Sequence, residues 1–158
     1  MKKLLPFAAA GILVFIGGRA QAQVTQDVTF EVTAINEISF TGSPSLTINS
    51  ANAGGAPDSK STNATYAVTT NETNRTITAE LNNNMPTGVT LSVSLAAPAG
   101  ASSAGAVQLS SAPQAVVTGI SSVNASGLNV TYTLSATAAA GVVASDSRIV
   151  TYTITAGA

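Results

Sequence analysis

From Val24 to Ala34, apolar and polar residues take turns. The even positions read Val24, Gln26, Val28, Phe30, Val32 and Ala34, and the odd ones Thr25, Asp27, Thr29, Glu31 and Thr33. Successive side chains of a strand point to opposite faces, so this pattern predicts a strand with one apolar and one polar face. Val and Thr suit it, because branching at Cβ packs well on a pleated surface. Similar runs follow at Glu37 to Phe40, Ser45 to Ile48, Thr65 to Thr70, Arg75 to Leu81 and Val89 to Leu95. Val107 to Leu109, Ala115 to Ile120, Leu128 to Ala136 and Ile149 to Thr155 continue the series. Asn71-Glu72-Thr73-Asn74 reads as a hairpin loop, and Pro86-Thr87-Gly88 as a turn with a preset φ followed by a permissive glycine.

Val130-Thr131-Tyr132-Thr133-Leu134-Ser135 and Val150-Thr151-Tyr152-Thr153-Ile154-Thr155 are near copies. The expectation is that they flank a hairpin and turn Tyr132 and Tyr152 toward one core. Asn49 to Asn63 and Ala96 to Ala106 read as loops. The first is long enough to be functional or to hide a further element. The Ala-rich run from Ala136 to Ala144 is broken by Gly141 and the β-branched Val142-Val143, which argues against a helix. About eight to ten short strands separated by turn signals predict a single antiparallel β-sandwich. An outer-membrane barrel also alternates, but it needs aromatic girdles, and aromatics are 4% of this chain.

The first residues change the picture of where the chain goes. Met1-Lys2-Lys3 is basic, Leu4 to Ile16 is apolar, and Ala20-Gln21-Ala22 offers small residues around a glutamine. This is the order of a cleaved signal peptide, residues 1–22, with Gln23 as the new N-terminus. The apolar run is short for a membrane span, which takes roughly 20 residues. No membrane span is expected in the mature chain, and export to the cell surface or medium is.

Removing the signal leaves Lys60, Arg75 and Arg148 against seven acids, a net charge of −4. Nucleic acid is not an expected partner, since phosphate binding takes clustered Lys and Arg. Such sparse charge also leaves little repulsion to hold copies apart. There is no cysteine, so stability must come from the core and the hydrogen-bond ladders.

Chemistry is thin. Without histidine or cysteine, the commonest general base, Ser-His and thiol nucleophiles and N/S zinc sites all drop out. Glu31, Glu37, Glu72 and Glu80 are placed as solvated strand or loop acids rather than as a glycosidase pair. Catalytic residues and cofactors are therefore expected to be none. Asp58 beside Ser59, and Asp146 between Ser145 and Ser147, are the best oxygen sets for calcium, but neither has the density of a calcium loop. The favoured role for both is a loop acid bonding its own backbone.

Gln23–Ala34 is the first segment after the expected signal peptide. A strand at a free terminus can leave its own domain and complete a neighbour's sheet, filling the edge hydrogen bonds and burying alternate side chains. Val24, Val28, Phe30, Val32 and Ala34 would be the inserted residues. Equally, the segment could be the first strand of its own sandwich, and the sequence leaves both readings open. The chain resembles secreted fimbrial subunits of the pilin and spore-coat-U kind: a signal peptide, one Thr/Ser/Ala/Val-rich β domain, and strands such as Val150-Thr151-Tyr152-Thr153-Ile154. That resemblance implies an immunoglobulin-like sandwich over 35–158 and assembly by donor-strand exchange. The expected function is an extracellular structural subunit that associates head to tail with copies of itself. The alternative is a secreted or surface-attached binding or adhesion module for a carbohydrate or protein, with a glycan as a possible ligand.

Overall fold

The structure, a computed structural model, describes residues 21–157. The chain divides between Val32 and Thr33. Of the first unit, residues 21–32 are described, and they belong to no strand. The expected signal peptide lies almost wholly outside the described residues.

The second unit is a β-sandwich of two antiparallel sheets. Its strands are β1 (Asn36–Thr41), β2 (Lys60–Thr70), β3 (Arg75–Leu81), β4 (Val89–Leu95), β5 (Ser102–Ser103), β6 (Val107–Gln108), β7 (Gln114–Ile120), β8 (Val123–Ala136) and β9 (Val150–Ala156). One sheet has the order β1-β2-β8-β4-β6, the other β5-β7-β3-β9. Both are open, so the alternation serves a sandwich and not a closed barrel. A constant-type immunoglobulin sandwich orders its strands A-B-E-D in one sheet and C-F-G in the other. Here β1, β2, β8 and β4 take the first set of places, and β3 and β9 take C and F.

Period two builds the core. Tyr66 and Val68 of β2, Ile77, Ala79 and Leu81 of β3, Val93 and Leu95 of β4, and Val130 and Tyr132 of β8 are buried on the inner faces. Opposite each sits a residue of matching phase, such as Val93 against Tyr132 and Leu95 against Val130. Each fully buried side chain of this size is worth roughly 1.5–3 kcal/mol.

The structure corrects two hairpins. Asn71–Asn74 does not join paired strands, since β2 and β3 lie in different sheets. Nor do the two Val-Thr-Tyr-Thr copies pair. β8 has β2 and β4 on its two sides, while β9 pairs with β3. Their tyrosines nevertheless meet across the core, with the hydroxyls of Tyr132 and Tyr152 2.8 Å apart. Local pattern fixes which face of a strand is apolar and leaves open which sheet receives it.

Other differences are smaller. Ser45–Ile48 forms no strand, though Leu46 packs against the core. The long loop holds an isolated bridge between Ala51 and Pro57 and gives up Lys60–Asn63 to β2. β5 lies inside the run read as the second loop. The Ala-rich run contributes one 3₁₀ turn, Ala138–Ala140. The period-two segment Val24–Ala34 forms no strand within the chain, because a strand requires a partner for its backbone.

Candidate functional site

Among the described residues, β1 lies at one end of its sheet and β9 at one end of the other, with no strand paired beyond either. These two edges face one another. Phe40 of β1 stacks on Tyr152 of β9 with ring centroids 3.9 Å apart, and on Tyr66 of β2 at 5.5 Å.

The inward comb of β9 is Val150, Tyr152 and Ile154, set opposite Leu81, Ala79 and Ile77 of β3. The β3 residues are sealed, at 0–2% exposure. Their β9 partners are only half-buried, although their side chains face the same interior. The same holds in β1, where Ile38 and Phe40 stay half-buried beside the sealed Val68 and Tyr66. An edge strand has a neighbour on one side only, so its inward side chains keep one flank uncovered.

Backbone phase adds to this. Asn82 N–H donates to Ile149 C=O (3.0 Å), and Gly157 N–H donates to Asn74 C=O (2.6 Å). The odd-numbered residues of β9 therefore turn their backbone groups to β3. By alternation, the N–H and C=O of Val150, Tyr152 and Ile154 turn to the open side. In β1, Asn71 N–H donates to Ile35 C=O (3.3 Å), which likewise leaves Ile38 and Phe40 presenting theirs outward. On both edges, the residues with incompletely covered side chains are also those with unpaired ladder groups. Incomplete side-chain cover and unpaired ladder groups thus coincide there, the two things that an added strand supplies to a sheet edge.

Burial shapes the tyrosines behind this edge. It pushes the Tyr66 phenol up to about 12, and the Tyr66 hydroxyl donates to Ala96 C=O at 2.6 Å. Tyr152 is raised well above the ordinary tyrosine range, first by burial and then by its hydroxyl contact with Tyr132. Tyr132 is raised by burial too, offset in part by the Tyr152 hydroxyl.

The assembly residues read from the sequence lie in the other unit. Val24 is 91% exposed, Val28 76%, Phe30 88% and Val32 78%, and Ala34, just inside the sandwich unit, is exposed as well. The segment thus shows an unburied apolar comb with no ladder of its own. Sequence reading missed the open edges. Their one available signal was the Val-Thr-Tyr-Thr-Ile strand, whose even positions are apolar, but nothing in the sequence says that this strand ends a sheet.

Where the segment meets the sandwich, its backbone is held. Asn71 Nδ2 donates to Thr33 C=O (2.8 Å), and Ile35 N–H donates to Asn71 Oδ1 (2.8 Å). Beside this, Asn36 hydrogen-bonds Glu72, which also pairs with Arg75. These partners, the Asn36 amide first, hold the Glu72 carboxyl below the usual carboxylate range.

Asp146 accepts from Ser147 N–H (2.7 Å) and from Arg148, so its carboxylate is spent locally. No group of three or more His, Cys, Asp or Glu placed to hold a metal occurs among the described residues. A hollow of about 350 Å³ lies between Ile35, Thr69–Asn71 and Ser122–Asn124, and one of about 120 Å³ beside Glu37–Ser39. Tyr66 and Tyr132 are buried, and the half-buried Tyr152 has one ring face stacked on Phe40. No helix among the described residues is long and apolar enough to cross a membrane. No family model, curated protein or solved structure matches this chain.

Proposed function

We propose that this protein is an extracellular structural subunit that assembles head to tail, the segment Gln23–Ala34 of one copy completing the sandwich of the next. One observation carries the reading. The same chain holds an exposed, unpaired apolar comb and an edge whose inward side chains and ladder groups are both incomplete. Neither is at its lowest free energy alone, and each supplies what the other lacks. Seating Val24, Val28, Phe30 and Val32 gains on the order of 1.5–3 kcal/mol per side chain before the cost of association. Because the donor and the acceptor edge are different surfaces, the contact is heterologous, and repetition gives a filament or surface layer rather than a closed pair.

Under this reading Met1–Ala22 directs export and is removed, the assembly takes place outside the cell, and the protein catalyses nothing. It is also the assembly mode implied by the resemblance to fimbrial subunits.

The test compares residues 23–158 with a chain beginning at Ile35, both examined by negative-stain electron microscopy. The longer chain is expected to form filaments and the shorter none. Dispersed monomers from both at high concentration would overturn strand-donated self-assembly and favour the binding-module alternative.

A further inference from the structure

We infer that Asn71 is a positioning residue that favours intermolecular donation, by barring the segment from its own chain's β1 edge. The inference rests on the assembly reading above.

Self-completion at the β1 edge requires the chain to reverse just before β1 and run back along it. A tight reversal needs residues that accept a positive φ, typically Asn-Gly, Asp-Gly or Gly-X. Residues 28–35 contain no Gly, Asn, Asp or Pro. Among the described residues, the positive-φ residues other than glycine are Asn74 and Ser122, neither of them in this stretch.

Parity is the second obstacle. Residues directly opposite in an antiparallel pair share a face. A two-residue loop at Val32-Thr33 would set Glu31 opposite Ala34, Asp27 opposite Ile38 and Thr25 opposite Phe40. That turns the polar face of the segment toward the core and sets the Asp27 carboxylate against Ile38. The correct parity needs a loop of odd length. Val32-Thr33-Ala34, for instance, would bring Val28 opposite Ile38. Such a loop must bend the backbone at Thr33 and Ala34.

That backbone is what Asn71 holds. Its side-chain amide accepts from Ile35 N–H and donates to Thr33 C=O, each at 2.8 Å. Both groups point toward the β2 side, the phase already set by the Asn71 N–H bond to Ile35 C=O. The amide thus stands in for a further β2 residue. It carries the β1 ladder one step past its last paired position, Asn36 opposite Thr70. With 33–35 kept in line with β1, only upstream residues remain for a turn, and a turn there removes Phe30 and Val32 from the comb. An edge on another copy imposes no loop and no parity.

The test uses the mature chain, residues 23–158, with Asn71→Ala and with a Gly-Ser-Gly-Asn-Gly-Ser insertion between Val32 and Thr33. The insertion leaves Asn71 intact and supplies a turn of either parity. Size-exclusion chromatography with light scattering gives the monomer fraction. Hydrogen exchange with mass spectrometry reads whether residues 23–34 are protected in those monomers. The native chain should form filaments, with 23–34 unprotected in any residual monomer. Asn71→Ala should raise the population of monomers with a protected segment by about tenfold or more, and the insertion should give almost only such closed monomers. Filaments from Asn71→Ala at native yield, with no protected monomer, would overturn the role of Asn71 and leave donor-strand assembly standing. Protected, closed monomers from the native chain would overturn both. Unprotected native monomers that never assemble would overturn the assembly reading, and the inference with it.

Discussion

Phe40 and Tyr152 stack with their planes 19° apart, joining the last strand of one sheet to the last strand of the other. The pair is the floor of the open edge. Removing Phe40 would strip cover from Tyr66, on which it also stacks, and removing Tyr152 would leave a void against Phe40. Tyr152→Ala should destabilise the isolated domain by about 2–4 kcal/mol, below or within the range for a fully buried aromatic. Tyr152→Phe keeps the ring and loses only the hydroxyl contact with Tyr132, at about 1 kcal/mol. Urea unfolding of the chain from Ile35 onward separates the two.

Phe30→Asp tests the donor half. Phe30 is 88% exposed, so in the monomer the change should shift stability by no more than about 0.5 kcal/mol. Filaments should be lost, because the same aspartate would have to enter an apolar acceptor unpaired. Thermal unfolding and electron microscopy on one preparation decide it. A folded chain that still polymerises would remove Phe30 from the contact.

Ile77 and Ile154 sit directly opposite one another in the β3–β9 ladder but are covered unequally. Ile77→Ala should cost about 2–5 kcal/mol in any state, as a cavity in a sealed core does. Ile154→Ala should cost less in the monomer, about 1–2 kcal/mol, because part of its surface is already wet. If a strand is added beside β9, the Ile154 cost should rise toward that of Ile77 in assembled material. Comparing the denaturant resistance of monomer and filament for both variants reads that difference.

Much of the sandwich was legible because period two is a physical requirement of a half-buried strand. Arg75–Leu81 and Val89–Leu95 carry it without interruption and emerge as β3 and β4 with the same ends. Sheet membership was not legible. Asn71–Asn74 has good turn chemistry, yet it carries the chain across the core, since β1 and β8 already occupy both sides of β2. The apolar comb at Val24, Val28, Phe30 and Val32 stood out in the sequence, but the open edges proposed to receive it depend on which strands lie last in their sheets. Asn71 was hidden for a similar reason. An asparagine in a turn reads as turn chemistry, and only its two bonds to Thr33 and Ile35 show it extending a ladder.

Alkali should loosen the fold in a way that one residue reports. Tyr66 is neutral in the folded state, and burial lifts it from the ordinary 10.0 to about 12. Between those values the unfolded chain has released this proton and the folded one has not. The folded state therefore binds more protons there, and stability falls as pH rises. The contribution of Tyr66 is fully present below about pH 10 and is lost progressively up to about pH 12. Tyr66→Phe should cost about 1 kcal/mol at pH 8, where it removes the bond to Ala96 C=O. Above pH 10 its penalty should shrink, because the phenylalanine has no proton to lose. The curve of unfolding midpoint against pH should thus be flatter for the variant, with the remaining slope due mostly to Tyr132 and Tyr152, whose phenols are also raised. Parallel curves for the two proteins between pH 9 and 12 would show that Tyr66 meets solvent in the folded state.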